Sequence, residues 1–208
     1  TLYDYPAGVP SSGHVISNNK IKDLGTYDNA SGIAFWGGGV LLYNNQYTAV
    51  TNNCITNVRL GVQTGNFYLA NPGTSASQVI SGNSIEARRV GIFHNLHYSA
   101  ASPITLSGNS ITGLANPNET GVRGMLFGSL SVNSTASNNT INLSAIAVTS
   151  TGYEVWNVKN TTPVVITGGT VSGVNTGVFM NNFEGYNSDG GDGAHASIGG
   201  VSINASGI

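Results

Sequence analysis

The sequence predicts an all-β chain, a single parallel β-helix (solenoid) of about seven coils over residues 1–208. The first observation is a phrase that recurs six times: a Ser or Thr, two Asn or Gly residues, any residue, then Ile or Val. It reads Ser17-Asn18-Asn19-Lys20-Ile21, Thr51-Asn52-Asn53-Cys54-Ile55, Ser81-Gly82-Asn83-Ser84-Ile85, Ser107-Gly108-Asn109-Ser110-Ile111, Ser137-Asn138-Asn139-Thr140-Ile141 and Thr167-Gly168-Gly169-Thr170-Val171. Its aliphatic positions are 34, 30, 26, 30 and 30 residues apart. A near-constant period in this range means one structural unit stacked on copies of itself. The second observation is a Gly before a β-branched residue in most periods: Gly32-Ile33, Gly61-Val62, Gly91-Ile92, Gly121-Val122 and Gly177-Val178. The third is that no stretch keeps a 3.6-residue apolar period, so helices should be few.

Each period therefore holds two or three short strands. Val15-Ile16, Val79-Ile80 and Val165-Ile166 precede their phrases as apolar runs, and the Ile or Val that closes each phrase opens the next strand. The fifth copy offers Ile146-Ala147-Val148 in place of the Gly pair, and a degenerate seventh runs Ile198-Gly199-Gly200-Val201-Ser202-Ile203. Stacked coils pair at about 4.8 Å. In such a stack Asn19, Asn53, Asn83, Asn109 and Asn139 fall at one corner and form a structural ladder. Asn tolerates the left-handed backbone of a tight corner, and its amide can bond to the Asn above and below. Five residues past the β-branched site, Phe67, His97, Phe127 and Phe183 form an expected aromatic column, with Tyr68 and Tyr98 beside it. Such a column reads as packing or as a platform for sugar rings. The longest expected loops, around 34–48, 64–77, 93–102 and 123–134, would form one shared wall where binding residues concentrate.

Composition narrows the function classes. Charged residues make up 8% of the chain, seven Lys+Arg against nine Asp+Glu, for a net charge of −2. A nucleic-acid partner is not expected, because phosphate binding needs clustered positive charge. No run of 18 apolar residues is present, so no membrane span is expected. The single Cys54 cannot form an internal disulfide and reads as a packing residue. Abundant Gly, Asn, Ser and Thr point to an extracellular, bacterial cell-surface setting. The chain starts at Thr1 without Met or a signal peptide and stops at Ile208 within a coil, with no capping helix in sight. The expectation is a processed product, a piece of a longer repetitive protein, or a filament subunit. Uncapped ends or flanking repeats would then pair with their own kind.

The [ST]-[NG]-[NG]-x-[IV] phrase with its Gly-[IV] partner resembles the right-handed parallel β-helix repeats of the pectin-lyase-like superfamily over roughly residues 13–208. In texture, segments such as Gly61-Val62-Gln63-Thr64-Gly65-Asn66-Phe67 are most similar to β-helical segments of large secreted bacterial surface proteins. The resemblance implies the right-handed fold and leaves function open between an adhesive rod and a polysaccharide lyase, epimerase or glycoside hydrolase. Against the enzymes, the Asn-Thr-Asp, Asp-Asp, Gly-His-Gly and Arg-Ile-Lys of polygalacturonase-like hydrolases are all missing. Pectate-lyase-like enzymes would need clustered acids for calcium, and the acids here mostly scatter.

Three candidate sites remain. Aligning Asn57–Val62 with Ala87–Ile92 sets Arg59 beneath Arg89, and two guanidiniums so placed repel unless an acid or anion lies between them. With Arg88, Glu86, His94, His97, Tyr98 and Trp36 they outline a groove for an acidic sugar. There Arg would grip carboxylates, His94 would carry protons, and Trp36, beside the Gly37-Gly38-Gly39 run, would stack on the sugar. The competing reading is a solvated face with His97 in the aromatic stack and Trp36 closing the core. Glu154 and Glu184 each lie 13 residues past their coil's aliphatic and are the one hydrolytic pair, or two solvated rim acids. Asp189-Gly190-Gly191-Asp192-Gly193 has the flavour of a calcium loop but no regular repeat, so a plain loop is the alternative and no cofactor is expected.

Overall fold

The computed structural model describes residues 2–3, 13–23, 37–43, 47–65, 77–97, 103–115, 121–130, 132–144, 149–181 and 193–206, and every regular element among them is a strand. Strand β1 (Leu2–Tyr3) belongs to the turn before the first coil, which holds β2 (Val15–Ser17), β3 (Lys20–Lys22) and β4 (Gly38–Tyr43), and it pairs with β4. The next two are β5 (Ala49–Thr51) with β6 (Cys54–Gly65), and β7 (Val79–Ser81) with β8 (Ser84–His97). Three coils of three strands follow: β9 (Ile104–Ser107), β10 (Ser110–Gly113) and β11 (Gly121–Leu130); β12 (Ser134–Ser137), β13 (Thr140–Asn142) and β14 (Thr149–Val158); β15 (Val164–Thr167), β16 (Thr170–Val174) and β17 (Thr176–Asn181). Strands β18 (Ala196–Gly199) and β19 (Ser202–Ala205) begin another turn. The described residues thus make six full coils and part of a seventh, slightly fewer than seven complete ones.

All pairing is parallel, and it falls on three faces. The first face is a seven-stranded sheet in the order β18-β15-β12-β9-β7-β5-β2. The second (β3, the start of β6 and β8, β10, β13, β16, β19) and the third (β1, β4, the rest of β6 and β8, β11, β14, β17) belong to one twelve-stranded sheet. Each face sends a register of apolar residues inward. On the first, Ile16, Val50, Ile80, Leu106, Ala136, Ile166 and Ile198 are in register. On the second, Ile21, Ile55, Ile85, Ile111, Ile141, Val171 and Ile203 align. On the third, Val40, Val62, Ile92, Met125, Tyr153 and Val178 align. The three columns meet in one continuous core.

The repeated phrase is the turn between the first two faces, and its two Asn/Gly positions do different jobs. The first adopts the left-handed backbone: Asn18, Asn52, Gly82, Gly108, Asn138, Gly168 and Gly200 have φ between 52° and 66°. The second carries the amide ladder. Asn53 donates its backbone N–H and its side-chain NH2 to Asn83 Oδ1, both at 3.0 Å, and the pattern repeats from Asn19 through Asn109 to Asn139. The ladder is as expected, but the left-handed role assigned to these asparagines belongs to the residue before each. Gly169, with φ +80°, interrupts the amide ladder in the sixth coil and adds a second left-handed residue to that turn.

The third face departs most from expectation. Its bending glycines are Gly39, Gly61, Gly91, Gly124, Gly152 and Gly177, each directly preceding the inward column. Gly124 replaces the expected Gly121, and Gly152 supplies the glycine that the fifth copy seemed to lack. A Cβ on Gly91 would sit 2.5 Å from Ile111 Cγ2 and 2.6 Å from the Gly124 carbonyl oxygen. Only glycine lets the second and third faces approach so closely. The strands are also long: β8 runs to His97 and β11 to Leu130, through stretches expected to be loops. The aromatic column dissolves accordingly, since Phe127 lies opposite His94 while His97 lies opposite Leu130. Phe67, Tyr68, Tyr98 and Phe183 lie outside the described residues.

Candidate functional site

The arginine corner forms where β6 and β8 turn from the second face to the third. Val58 pairs with Ala87 and Leu60 with Val90, so the single Arg59 faces two residues, Arg88 and Arg89. This bulge offsets an earlier one, where Thr56 and Asn57 face Glu86 alone. Arg59 and Arg89 are therefore brought together, as the alignment expects, with Arg88 in the same bulge. Arg88 donates to Asn57 Oδ1, Asn57 Nδ2 donates to Asp23 Oδ1 at 2.8 Å, and the Asn57 backbone N–H reaches Glu86 Oε2 at 3.3 Å. Lys22 closes the chain with an exposed ion pair to Asp23 at 3.6 Å. The hydrogen bond from Asn57 is the main cause that holds the Asp23 carboxyl below its ordinary value; slight desolvation opposes it, and Lys22 and Arg88 add to the lowering. Arg59 is buried and Arg89 half-buried, and neither is free of partners.

His94 is not part of that corner. Val62, Thr64, Ile92 and His94 point into the solenoid, and His94 is fully buried. Its Nδ1 lies 2.8 Å from Thr64 Oγ1 on the neighbouring strand and its Nε2 lies 3.1 Å from Ser134 Oγ on the first face. Phe127 meets the ring edge-on at 6.0 Å. Ser134 Oγ donates to the Val132 carbonyl at 3.4 Å. Its lone pairs then accept Nε2–H, which leaves Nδ1 to accept from Thr64; this tautomer is assigned from the network. The imidazole braces two walls of the core and touches no solvent.

The outward side of the third face holds residues that periodicity did not single out. Leu60, Val90 and Leu126 form a second apolar cluster with Phe93 and Trp156, separate from the core. Arg123 Nε binds Glu154 Oε2, so Glu154 is held by an arginine of the preceding coil and is itself 5% exposed. In register Glu154 lies between Leu126 and Phe179. On β17 the residue in register with Glu154 is Phe179, and the coil-five connection from Ile141 to Gly152 is five residues longer than that from Val171 to Gly177. Gln63 is opposite Phe93, and Asn95 is opposite Gly128, which in turn faces Trp156. Gln63 Oε1 and Asn95 Oδ1 are buried without a hydrogen-bond partner among the described residues. Trp36, Tyr98, Glu184, Asp189 and Asp192 lie outside the described residues, as does the His97 side chain. Among the described residues no group of three or more His, Cys, Asp or Glu could hold a metal ion, and no helix is long and apolar enough to cross a membrane.

A stack of parallel coils with an internal asparagine ladder and one long-stranded, partly aromatic outer face defines the class, a parallel β-solenoid. Residues 9–147 match the family model described as "Protein of unknown function (DUF1565)", and the chain belongs to that family. No curated protein and no solved structure matches it.

Proposed function

We propose that the chain is an extracellular structural or adhesive β-helical segment of a bacterial surface or filament-forming protein, with weak glycan binding on its long-stranded face. The observation that carries this reading is the state of the last coils. Ile198 and Ile203 continue the two apolar columns yet are 44% and 43% exposed, and Met180 is 42% exposed. A strand edge unpaired among the described residues, with its core columns exposed, is a template for another coil, from flanking repeats of the same protein or from a second copy. Sparse charge and a surface rich in Ser, Thr and Asn suit a rod that spaces or displays outside the cell. The reading needs no cofactor. A lyase or epimerase working through Arg59, Arg89 and His94 gains no support, because the imidazole is in the core and Arg88 is tied to Asn57. Antibody labelling of intact source cells tests the setting: signal before permeabilisation is expected, and signal only after lysis would rule it out.

A further inference from the structure

We infer that this chain adds copies of itself end to end along the solenoid axis, with β1 of one copy completing the last coil of the copy before it. The strand count sets the fit. Among the described residues each face carries seven strands, from β2 to β18 on the first, β3 to β19 on the second and β1 to β17 on the third. The two ends are therefore stepped in matching ways. Before the first coil the third face alone has a described strand, β1, and after the sixth coil the first and second faces alone have them, β18 and β19. One copy stops on a coil with two of its three strands described, and the next copy starts with a strand for the third face. A shift of seven rungs, about 34 Å at the strand spacing, seats one step in the other.

The register that pairs coils inside the chain also fixes the pairs across the joint. Ile198 meets Ile16 of the next copy and Ile203 meets its Ile21, which continues both Ile columns. On the third face Leu42, Thr64, His94, Phe127, Val155 and Met180 share one inward row. Leu2 extends that row beyond Leu42, so Leu2 of the next copy covers Met180. Met180, Ile198 and Ile203 are 42% to 44% exposed, and the joint removes all three from water. The asparagine ladder has the same polarity. From Asn19 to Asn109 each ladder residue gives its backbone N–H to the Asn Oδ1 of the following coil. The bonds of Asn19 are all donations, which leaves its Oδ1 open among the described residues. Val201 holds the ladder position in the last coil, with its backbone N–H placed to donate to Asn19 of the next copy. Charge raises no obstacle, because Lys20 and Lys22 of the next copy fall beside Ser202 and Asn204. An unlike protein would have to reproduce the step and all three registers, whereas a copy already carries them. This inference rests on the self-assembly half of the proposed function and adds the partner, the polarity and the register.

The test is disulfide trapping between two single-cysteine versions made in a Cys54→Ser background, Lys20→Cys and Ser202→Cys. Both positions are exposed on the second face, and across the joint their Cα atoms would be about 5 Å apart, within the reach of a disulfide. The expected result is a covalent dimer when the two versions are mixed and oxidised, and none from either version alone. Adding Leu2→Lys to the Lys20→Cys version should abolish that dimer at unchanged strand content by circular dichroism. A dimer from one version alone would mean that like ends meet, which overturns the proposal. A dimer undiminished by Leu2→Lys would overturn it as well, because β1 would then not complete the coil. Assemblies that grow in sedimentation without a mixed disulfide would overturn this joint and keep self-assembly. A monomer at every concentration would end both.

Discussion

Asn83 holds three coils at once. Its Oδ1 accepts from the Asn53 backbone and side chain, and its NH2 reaches the Val50 carbonyl above and Asn109 Oδ1 below. Asn83→Ala would orphan the buried Asn53 backbone N–H, while the Asn53 NH2 keeps the Ile16 and Thr51 carbonyls, so a loss of roughly 1–3 kcal/mol in urea unfolding is expected. Asn19 ends the ladder in solvent, and Asn19→Ala should cost less than about 1 kcal/mol. Tyr153 gives a prediction in pH. Burial pushes its phenol up to about 12, and Asn139 offsets part of that without completing a hydrogen bond. The unfolded chain ionises this tyrosine near 10, so its contribution is fully present below pH 10 and drains away as pH rises toward 12. A loss on the order of 2 kcal/mol across that window is expected, and it should be missing in Tyr153→Phe.

At the scale of the strand, the Gly that turns the second face into the third decides the register of everything after it. Gly91→Ala would press a methyl against the Gly124 carbonyl, which is backbone and cannot yield. A cost of roughly 2–3 kcal/mol in thermal unfolding is expected. His94→Ala would leave a cavity and strand the Thr64 and Ser134 hydroxyls, so roughly 3 kcal/mol should be lost. These elements also show what the sequence made legible. The first two faces are joined by a two-residue turn, so Ile16–Ile21 and its copies kept constant spacing and their columns were readable. The third face follows connections of 6, 6, 13, 11 and 6 residues from the aliphatic to the bending Gly in the second to sixth coils. The first coil's position is Gly39-Val40 and not the expected Gly32-Ile33, and Met125 and Tyr153 after their glycines hid two more of the six positions from a Gly-[IV] pattern. The Arg123–Glu154 pair depends on two of those connection lengths, and so no spacing rule could find it. The meeting of Arg59 with Arg89 was legible because its two coils have equal connections.

At the scale of the whole molecule, the outermost coils among the described residues each carry strand edges that pair with no described strand, β2 and β3 on one side and β17, β18 and β19 on the other. At the first coil Val40 and Leu42 are buried, and Leu42 pairs through β4 with Leu2 of β1. At the other end Met180, Ile198 and Ile203 stand open on those strands. A contact of one end with something unlike itself does not close on itself, and repeated it builds a fibre. Sedimentation velocity over a concentration series tests this most directly, comparing the chain with an Ile198→Lys/Ile203→Lys variant. The account predicts elongated species that grow with concentration and are lost in the variant at unchanged secondary structure. A chain that stays a monomer at every concentration, with the variant indistinguishable from it, would contradict it.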